Sequence, residues 1–500
     1  MTYSNWTRLL LNSVLAEVDD EVRRILEPLL RQIVKTVIAF LHNEVSPTSS
    51  LRFEEGLKHI LRDVGRVATE WTYNHVEPED PRSLPHDVHF EGSGYRRLNH
   101  KTPNRHVATL FGKIALARFG YRDWQRDGGE PTLFPLERHW GLVGGASPAL
   151  ASAAGHYMAE TGATQGVVLN RLSREHGVVW GTKKLREVAA RLADAMQPFC
   201  RTFQAEKVLA WLEQAFDGKG KQRPVLSVGR DGITLGMQPG DSFEVATSAT
   251  MTVYNRQGKR LGTVYLAQPP ELGQQTMSNE LTALIAEILS RWEGPTPRLC
   301  YVTDAGDNET AYYRQVLRSM RHPQTGERLV WQWVVDYYHA SLRITVLAEA
   351  LFGRTRGAEA WARRMRKLLL KRNGPSRVLH AAAARRSGHG VIAHRRRDYN
   401  RAYEYLRKRT RHMQYWEYRR RQMPIGSGIT EAACKTVFTQ RLKLSGMRWK
   451  HEGARTVLTL RVILLSGIWE DVYAAATKSS CTPPIRTYQP SPTQQHAIAA

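Results

Sequence analysis

Two segments that each end in an aspartate decide the fold: residues 298–304, RLCYVTD, and residues 329–336, LVWQWVVD. Apolar, β-branched and aromatic residues dominate both segments, as is typical of buried strands. Residues 310–320, between them, have the apolar spacing of a helix. We therefore predict two strands that deliver Asp304 and Asp336 at their ends.

The chain before these segments predicts three further strands. Residues 225–228 lead into a turn that carries Asp231, residues 249–254 alternate apolar and polar side chains, and residues 260–267 follow a short turn. Residues 278–292 then have helical spacing. The order is three strands, a helix, a strand, a helix and a strand. It predicts a mixed α/β sheet and is the order of the RNase H-like fold.

Four acids form a candidate metal site. Asp231, Asp304 and Asp336 each stand at the end of a predicted strand, and Glu431 opens a predicted helix after the glycine-rich turn at 424–428. Because converging carboxylates repel each other, a hard divalent cation, Mg²⁺ or Mn²⁺, is the usual reason to tolerate them. Two such ions can activate a water or a 3′-hydroxyl for attack on a phosphodiester. We predict that chemistry here.

The charge of the chain points to a polyanion. Lys and Arg total 72 and Asp and Glu 47, which gives a net charge of +25 over 500 residues. Nucleic acid is the leading partner and an anionic membrane surface the alternative. Residues 341–421 carry 23 basic and five acidic residues, so most of the excess lies between Asp336 and Glu431. A membrane surface would not require that placement, and we predict DNA contact through phosphate neutralisation.

The basic residues predicted to contact DNA lie mainly in this helical insertion, with weaker candidates on the chain beyond it. They are Arg363, Arg364, Arg366, Lys367, Arg395, Arg396, Arg397, Arg407, Lys408 and Arg409, followed by Lys435, Arg448 and Trp449.

A helix-turn-helix pattern precedes the sheet. Residues 163–175 predict one helix, Gly177 the turn, and residues 182–196 a second helix whose start carries Lys183, Lys184 and Arg186. These basic residues could read DNA. The alternative is a plain helical hairpin.

Several classes of protein are excluded. The four cysteines are far apart, which argues against a disulfide scaffold or a cysteine-based zinc site and favours a reducing cytoplasm. The chain has no apolar run of transmembrane length, no signal peptide and no phosphate-binding loop of the nucleotide-hydrolase type.

Two motifs near Glu431 resemble a known family. Residues 426–435, GSGITEAACK, and residues 440–449, QRLKLSGMRW, resemble the C-terminal signature of bacterial insertion-sequence transposases of the ISKra-like group. Residues 333–340, WVVDYYHA, resemble the D-x-x-H element shared with Mutator-type transposases. The resemblance covers roughly residues 100–470. The region near residues 118–131, where such proteins often carry paired cysteines, has none.

The resemblance implies a DDE transposase with an RNase H-like catalytic domain. Asp231, Asp304 and Glu431 would hold two Mg²⁺ or Mn²⁺ ions, with Asp336 and His339 in supporting roles. Two alternatives stay open for the second ligand, Asp307 or Asp336 in place of Asp304. His339 would lie near the scissile phosphate or hydrogen-bond a ligand, the alternative being a structural histidine in the core.

The implied activity is cleavage at the ends of a DNA element and transfer of the 3′-OH to target DNA, by a homodimer or higher multimer. The cell compartment would be the bacterial cytoplasm, at the nucleoid. Two alternatives share the acids or the charge: another RNase H-like nuclease, such as a junction resolvase, and a DNA-binding relative without catalysis.

The chain divides into six predicted regions. We expect an all-helical N-terminal DNA-binding region before the catalytic domain and a disordered tail after it. The regions are 1–75 (helical), 76–145 (connecting), 146–221 (helix-turn-helix-like), 222–340 with 425–472 (catalytic domain), 341–424 (basic helical insertion) and 473–500 (tail).

Overall fold

The computed structural model describes residues 20–90, 93–123, 132–240, 242–480 and 486–487. Within it the chain forms two compact units. Unit 1 comprises Met1–Met158, Ala163–Ala195 and Tyr473–Ala500, and unit 2 comprises Ala159–Gly162 and Met196–Val472. None of the helices in the described ranges is both long enough and apolar enough to cross a bilayer.

Unit 1 combines helices with an antiparallel sheet of strand order β3-β2-β1-β9. Its elements are α1 (Asp20–His42), α2 (Pro47–His75), β1 (Asp87–Phe90), β2 (Ser93–Thr109), β3 (Gly112–Asp123), α3 (Pro135–His139), α4 (Pro148–Ala159), α5 (Gln165–His176), the start of α6 (Thr182–Asp217), the end of α17 (Trp469–Ser480) and β9 (Arg486–Thr487).

The prediction of an all-helical N-terminal region is wrong. Residues 87–123 form three strands, although the first half of this segment is rich in proline, histidine and glycine. In β3, Ile114 and Leu116 are buried, whereas Lys113 before them is exposed and Ala115 between them is half-buried. This alternation is the period of a half-buried strand, and it outweighs the turn-forming composition of the residues before it.

The predicted helix pair is confirmed in outline. Helix α5 ends at Gly177, whose φ of 63° gives the left-handed C-cap that glycine accepts readily, and α6 begins at Thr182. Helix α6 continues past the predicted end at 196 to Asp217, with Pro198 inside it.

Unit 2 is built on a five-stranded mixed sheet of order β6-β5-β4-β7-β8. Strands β4, β5 and β6 form an antiparallel meander, and β7 and β8 run parallel to β4. The mixed α/β class is therefore confirmed. The strands are β4 (Val225–Gly236), β5 (Phe243–Tyr254), β6 (Arg260–Gln268), β7 (Arg298–Thr303) and β8 (Trp331–Val335).

The helices of unit 2 cover this sheet and extend beyond it. The residues of α7 that the sequence places on one apolar face, including Leu281, Ile285 and Leu289, are buried as predicted. The helices after α6 are α7 (Gln275–Arg291), α8 (Asp307–Tyr312), α9 (Tyr337–Phe352), α10 (Arg356–Leu369), α11 (Gly374–His389), α12 (Arg396–Arg409), α13 (Tyr415–Arg420), α14 (Gly428–Ala433), α15 (Gln440–Leu442) and α16 (His451–Leu465).

The basic insertion shares its core with the sheet. Trp361, Leu379, Tyr399 and Tyr415 of the insertion belong to the same buried hydrophobic cluster as the strands β4, β5, β7 and β8. The insertion is therefore held against the sheet by apolar burial, which is the largest favourable term in folding.

Two predictions at the chain ends concern residues that are only partly described. The helical prediction for the first residues is confirmed from Asp20 onward, and residues 1–19 lie outside the described part. Residues 473–480 of the predicted disordered tail are instead the end of α17. The rest of that prediction, apart from β9, falls on residues that are not described.

Candidate metal centre and its surroundings

The three predicted aspartates lie in one row across β4, β7 and β8. Val225 of β4 pairs with Arg298 of β7, an offset of 73 positions, and the same offset separates Asp231 from Asp304. Leu299 pairs with Trp331, an offset of 32, which also separates Asp304 from Asp336. Parallel strands in register present equivalent residues side by side, so the row brings the three carboxylates to one edge.

The position of Asp231 differs from the prediction. Asp304 and Asp336 directly follow their strands, but Asp231 lies inside β4 and pairs with Ser248 of β5. The parallel pairing of β4 with β7 ends at Gly229, whereas the antiparallel pairing with β5 continues to Gly236. The sequence signal for a turn at Asp231-Gly232 therefore marks the end of one ladder rather than the end of the strand.

Asp336 is fully buried and its two carboxylate oxygens are occupied by hydrogen bonds from the chain. Oδ1 accepts from the Ser427 N–H at 2.7 Å. Oδ2 accepts from the His339 N–H at 2.7 Å and lies 2.8 Å from His339 Nδ1. Burial alone would raise the pKa of Asp336, but these hydrogen bonds outweigh it and lower the pKa. Asp336 thus caps α9 and ties it to the chain before α14.

The turn before α14 needs a glycine next to Asp336. A Cβ on Gly426 would lie 3.2 Å from the Tyr338 ring and 3.4 Å from Asp336 Oδ1. The Tyr337 N–H donates to the Ile425 carbonyl oxygen at 2.9 Å, so the turn is fixed on both sides of this glycine. The turn predicted from its small residues therefore passes close to the end of β8.

Helix α14 is seated on β4 and β5 through Thr430. The Thr430 hydroxyl lies 2.9 Å from the Thr250 hydroxyl, and both groups are buried. It also fills the space beside Gly229 of β4, where an added Cβ would overlap it. This contact fixes the first turn of α14, and Glu431 is the next residue.

Glu431 stands in the first turn of α14 and is partly exposed. Its Oε1 accepts a hydrogen bond from Ser427 Oγ at 2.8 Å and lies 3.6 Å from His339 Nδ1. Within the described residues its ion pair is with His339 rather than with Lys435, whose side chain is exposed. Asp336, His339 and Glu431 each offer a ligand atom within 4.8 Å of the others, so this group could hold a metal ion.

His339 links the buried aspartate to the exposed glutamate. The hydrogen bond to Asp336 raises the pKa of His339, and the negative charges of Asp304 and Glu431 raise it further. Burial acts in the opposite direction but does not outweigh them. The contacts with Asp336 favour the imidazolium, which donates from Nδ1. The side chain is about one third exposed, so it is a histidine at the edge of the site rather than in the core.

Asp304 and Glu431 lie close enough to Asp231 for their charges to act on its carboxyl group. Burial raises the pKa of Asp231, and the negative charges of Asp304 and Glu431 raise it further. The Gly232 N–H donates to Asp231 Oδ1 at 2.8 Å and the Gly306 N–H to Asp304 Oδ1 at 2.9 Å. A cation would relieve this repulsion, and the oxygen donors suit Mg²⁺ or Mn²⁺. Among the described residues, the ligand atoms that lie within 4.8 Å of one another are instead those of Asp336, His339 and Glu431.

Cys434, which directly follows α14, contacts the carboxylate of Asp231. Its Sγ lies 3.5 Å from Asp231 Oδ2, and burial followed by the charge of Asp231 raises the pKa of the thiol. The protonated thiol can donate to the carboxylate. Residues 434–439 have the wider i→i+5 hydrogen-bond pattern of a π-helix, which directly continues α14.

Glu309 is a site residue that sequence reasoning missed. Its carboxylate and that of Asp304 approach the same point beside Gly306, at 2.5 and 3.4 Å from where a Cβ would stand. Burial raises the pKa of Glu309 to about 7, and the charges of Asp304 and Asp231 add to the shift. Asp307, weighed as an alternative ligand, is exposed at the start of α8. An acid in a first helical turn is ordinarily solvated, so no sequence pattern distinguishes Glu309 from a surface residue.

Side chains from the insertion hold the ends of β7 and β8. The Tyr405 hydroxyl donates to the Asp304 carbonyl oxygen at 2.7 Å, and the Tyr415 hydroxyl to the Val335 carbonyl oxygen at 2.8 Å. Arg409 donates to the Ala305 carbonyl oxygen at 2.9 Å and stacks on the Tyr405 ring. The insertion therefore positions the strand ends that carry the acids.

The residues predicted to contact DNA fall into three groups. Trp449 is buried and its indole N–H donates to the Leu442 carbonyl oxygen, so its predicted place on a DNA-contacting surface is wrong. Lys184, Arg366, Arg395 and Arg409 are half-buried. The exposed side chains are Lys183, Arg186, Arg363, Arg364, Lys367, Arg396, Arg397, Arg407, Lys408, Lys435 and Arg448.

Some of these basic side chains are engaged within the chain. Arg366 donates to Thr345 Oγ1, Arg407 pairs with Glu404 at 2.9 Å, and Arg186 donates to Gln165 Oε1. Arg363, Arg364 and Lys367 of α10 keep exposed side chains. They are the part of the predicted interface best placed to meet a polyanion.

Comparison of the chain with protein-family models gives no match, and comparison with curated proteins gives none either.

Proposed function

We propose that the protein is a metal-dependent DNA transposase of the DDE type, with an RNase H-like catalytic domain. The observation that carries the proposal is the single row formed by Asp231, Asp304 and Asp336 across three parallel strands, joined by Glu431 from α14. The sheet order, an antiparallel meander followed by two parallel strands, supports the same reading.

Asp231, Asp304 and Glu431 would hold two Mg²⁺ or Mn²⁺ ions. Bound there, the ions would supply an activated oxygen nucleophile and charge stabilisation for in-line displacement at phosphorus. Asp336 would act through its hydrogen bonds, because both its oxygens already accept from the chain. His339 would keep Glu431 in place and offer a positive charge near the attacked phosphate.

The exposed arginines of α10 and α12 would neutralise DNA phosphates beside this site. Lys and Arg contacts of this kind release counterions and supply affinity without reading sequence. The surface of unit 1 that carries Lys183 and Arg186 is the candidate for reading element ends. Since two ends must be held together during strand transfer, we propose that the active species is a homodimer or a higher multimer on DNA.

The test is a cleavage and joining assay on a plasmid that carries the DNA flanking the coding sequence. We expect Mg²⁺- or Mn²⁺-dependent nicking and 3′-end joining by the wild-type protein, and loss of both in Asp304→Asn and Glu431→Gln. Glu452→Gln, an exposed glutamate in the first turn of α16, is the matched control and should retain activity.

Two other outcomes would contradict the proposal. Metal-dependent cleavage without joining would identify a nuclease such as a junction resolvase. Binding of DNA by a folded wild-type protein that neither cleaves nor joins would identify a DNA-binding relative without catalysis.

A further inference from the structure

A cavity of about 520 Å³ opens at the end of the sheet opposite the acids. Arg298 is the first residue of β7, and Asp304 follows the last. Arg298 and Asp304 are six positions apart along the strand, which corresponds to roughly 20 Å at the rise of a β-strand. A group bound in this cavity is therefore distinct from anything bound at the carboxylates.

Four arginines line this cavity, which we call the arginine cleft: Arg223, Arg298, Arg328 and Arg421. Arg223 and Arg421 are exposed and Arg298 is half-buried. The Nη1 of Arg298 is enclosed and has no hydrogen-bond partner among the described residues. An enclosed guanidinium N–H without an acceptor is costly, and a bound oxygen anion would supply the acceptor.

The electrostatics of the cleft favour an anion. Burial lowers the pKa of Arg298, and the positive charges of Arg421 and Arg223 lower it further. Two exposed acids, Glu293 and Glu327, also line the cleft, and Glu417 forms an ion pair with Arg421. Arg328 lines it as well and donates to the Arg318 carbonyl oxygen. Four arginines against two lining acids leave the cleft positive.

The walls of the cleft suit an extended polymer better than a small enclosed ligand. Trp292 and Met423 provide buried apolar walls, while Val330 at the rim is 86% exposed. The forked guanidinium of arginine matches two oxygens of a phosphate group. Since the surrounding surface is open and the chain as a whole carries +25, a phosphate of a nucleic-acid strand is the ligand that fits.

We propose that the arginine cleft binds a backbone phosphate of nucleic acid, held by Arg298 together with Arg223 and Arg421, at a point distinct from the phosphate that is cut. This second contact point rests on the proposed function, in which DNA is the bound polymer. It would hold either another segment of the same DNA or a second DNA molecule.

The test measures binding of a fluorescent DNA duplex by anisotropy in EDTA, over a range of salt concentrations, so that no cleavage is involved. In the double variant Arg223→Gln/Arg298→Gln we expect affinity to fall by about tenfold or more. The slope of log K against log salt should fall by about 1. Arg201→Gln/Lys207→Gln, which removes two positive charges of α6 that do not line the cleft, should leave both quantities near wild type.

A second variant keeps the test independent of folding. Arg298→Lys retains the positive charge but not the fork, and should give an intermediate loss of affinity with unchanged circular dichroism. Equal binding by wild type and the double variant would overturn the proposal. A thermal shift with inorganic phosphate that the double variant loses, without a change in duplex affinity, would also overturn it and would leave a site for small anions.

The same measurements separate this proposal from the function it rests on. Failure of the wild-type protein to bind any duplex would count against the proposed function itself. Binding by the wild type that the double variant retains would count against the arginine cleft alone.

Discussion

The hydroxyl of Thr430 occupies the place beside Gly229 where any other residue would carry its side chain. This contact sets how closely α14 approaches β4. It thereby sets the distance of Glu431 from the aspartates, because Glu431 is the next residue. A glycine in the middle of a strand is unfavourable in isolation, so its presence here is explained by this close approach.

Gly229→Ala should therefore displace α14. We expect a loss of about 1–3 kcal/mol in the free energy of unfolding, as in other overpacked cores, and a large loss of metal-dependent cleavage. The matched control is Gly428→Ala at the first residue of α14, where an added Cβ meets nothing within 4 Å. Thermal melts and plasmid nicking measure the two effects. Equal behaviour of the two variants would show that the contact does not position Glu431.

Asp304 and Asp336 should respond in opposite ways to replacement by asparagine in EDTA. Asp304→Asn removes a charge that repels Asp231, so the metal-free protein should melt at a higher temperature. Asp336→Asn places an amide group against buried N–H donors and should cost about 2 kcal/mol. Calorimetry of both variants distinguishes the proposed ligand from the positioning residue. The assignment fails if Asp336→Asn is the stabilising one.

Glu309 should make stability depend on pH. Its pKa is about 7 in the folded chain and 4.5 as an ordinary glutamate, so the folded state holds the proton more tightly. The contribution of Glu309 to the free energy of unfolding should be greatest below about pH 4.5 and should fall by about 3 kcal/mol as pH rises through 7. Glu309→Gln removes this dependence. In EDTA the variant should be more stable than wild type at pH 8 and no more stable at pH 4.5.

Denaturant titrations at several pH values measure the Glu309 effect. Glu293→Gln, at an exposed glutamate far from the row of aspartates, is the control and should follow the wild-type curve. A Glu309→Gln curve parallel to that of the wild type between pH 4.5 and 8 would contradict the prediction.

Tyr405→Phe should weaken the metal centre without unfolding the insertion. The change removes the hydrogen bond to the Asp304 carbonyl oxygen and should cost about 1 kcal/mol. It should also lower Mn²⁺ affinity, which titration calorimetry can measure, because the strand end that carries Asp304 loses a restraint. Tyr403→Phe in the same helix is the control, since the Tyr403 ring stacks on Tyr399 of that helix.

Arg363→Gln/Arg364→Gln should reduce DNA affinity at every sequence tested. Both side chains are exposed on α10, so the loss should be electrostatic and should disappear at high salt. Anisotropy titrations at two salt concentrations test this. Arg201→Gln/Lys207→Gln, in α6 and outside both the predicted interface and the arginine cleft, provides the control, and an equal effect there would mean that only net charge matters.

The sequence predicted the strands of the sheet better than the details of the site. Strands β7 and β8 are buried on both faces, so their apolar runs and terminal aspartates were recognisable, and β7 has the predicted bounds. Asp231 was misplaced because a local turn signal does not reveal that pairing with β5 continues. The N-terminal sheet was missed because β2 is polar and contains Pro103, and because the residues around β1 are rich in proline and histidine.

What could not be predicted depends on contacts between distant residues. The role of Gly229 follows from Thr430, and the burial of Glu309 follows from the path of the chain at Gly306. Tyr415 stands in the polar, basic insertion, yet it is buried and its hydroxyl donates to the Val335 carbonyl oxygen. No local pattern distinguishes a tyrosine that packs on its own chain from one that packs on a ligand.

The hydrogen bond from Tyr415 to the end of β8 also has a consequence for biosynthesis. A ribosome completes β4, β7 and β8 long before it reaches Tyr415 and then Glu431. The three aspartates can therefore line up early, but their fourth partner arrives only after the whole insertion has been translated. A nascent chain that stops before α14 would leave Gly229 and Thr250 uncovered and would have an incomplete set of acids, so the centre is assembled only after synthesis has passed the insertion.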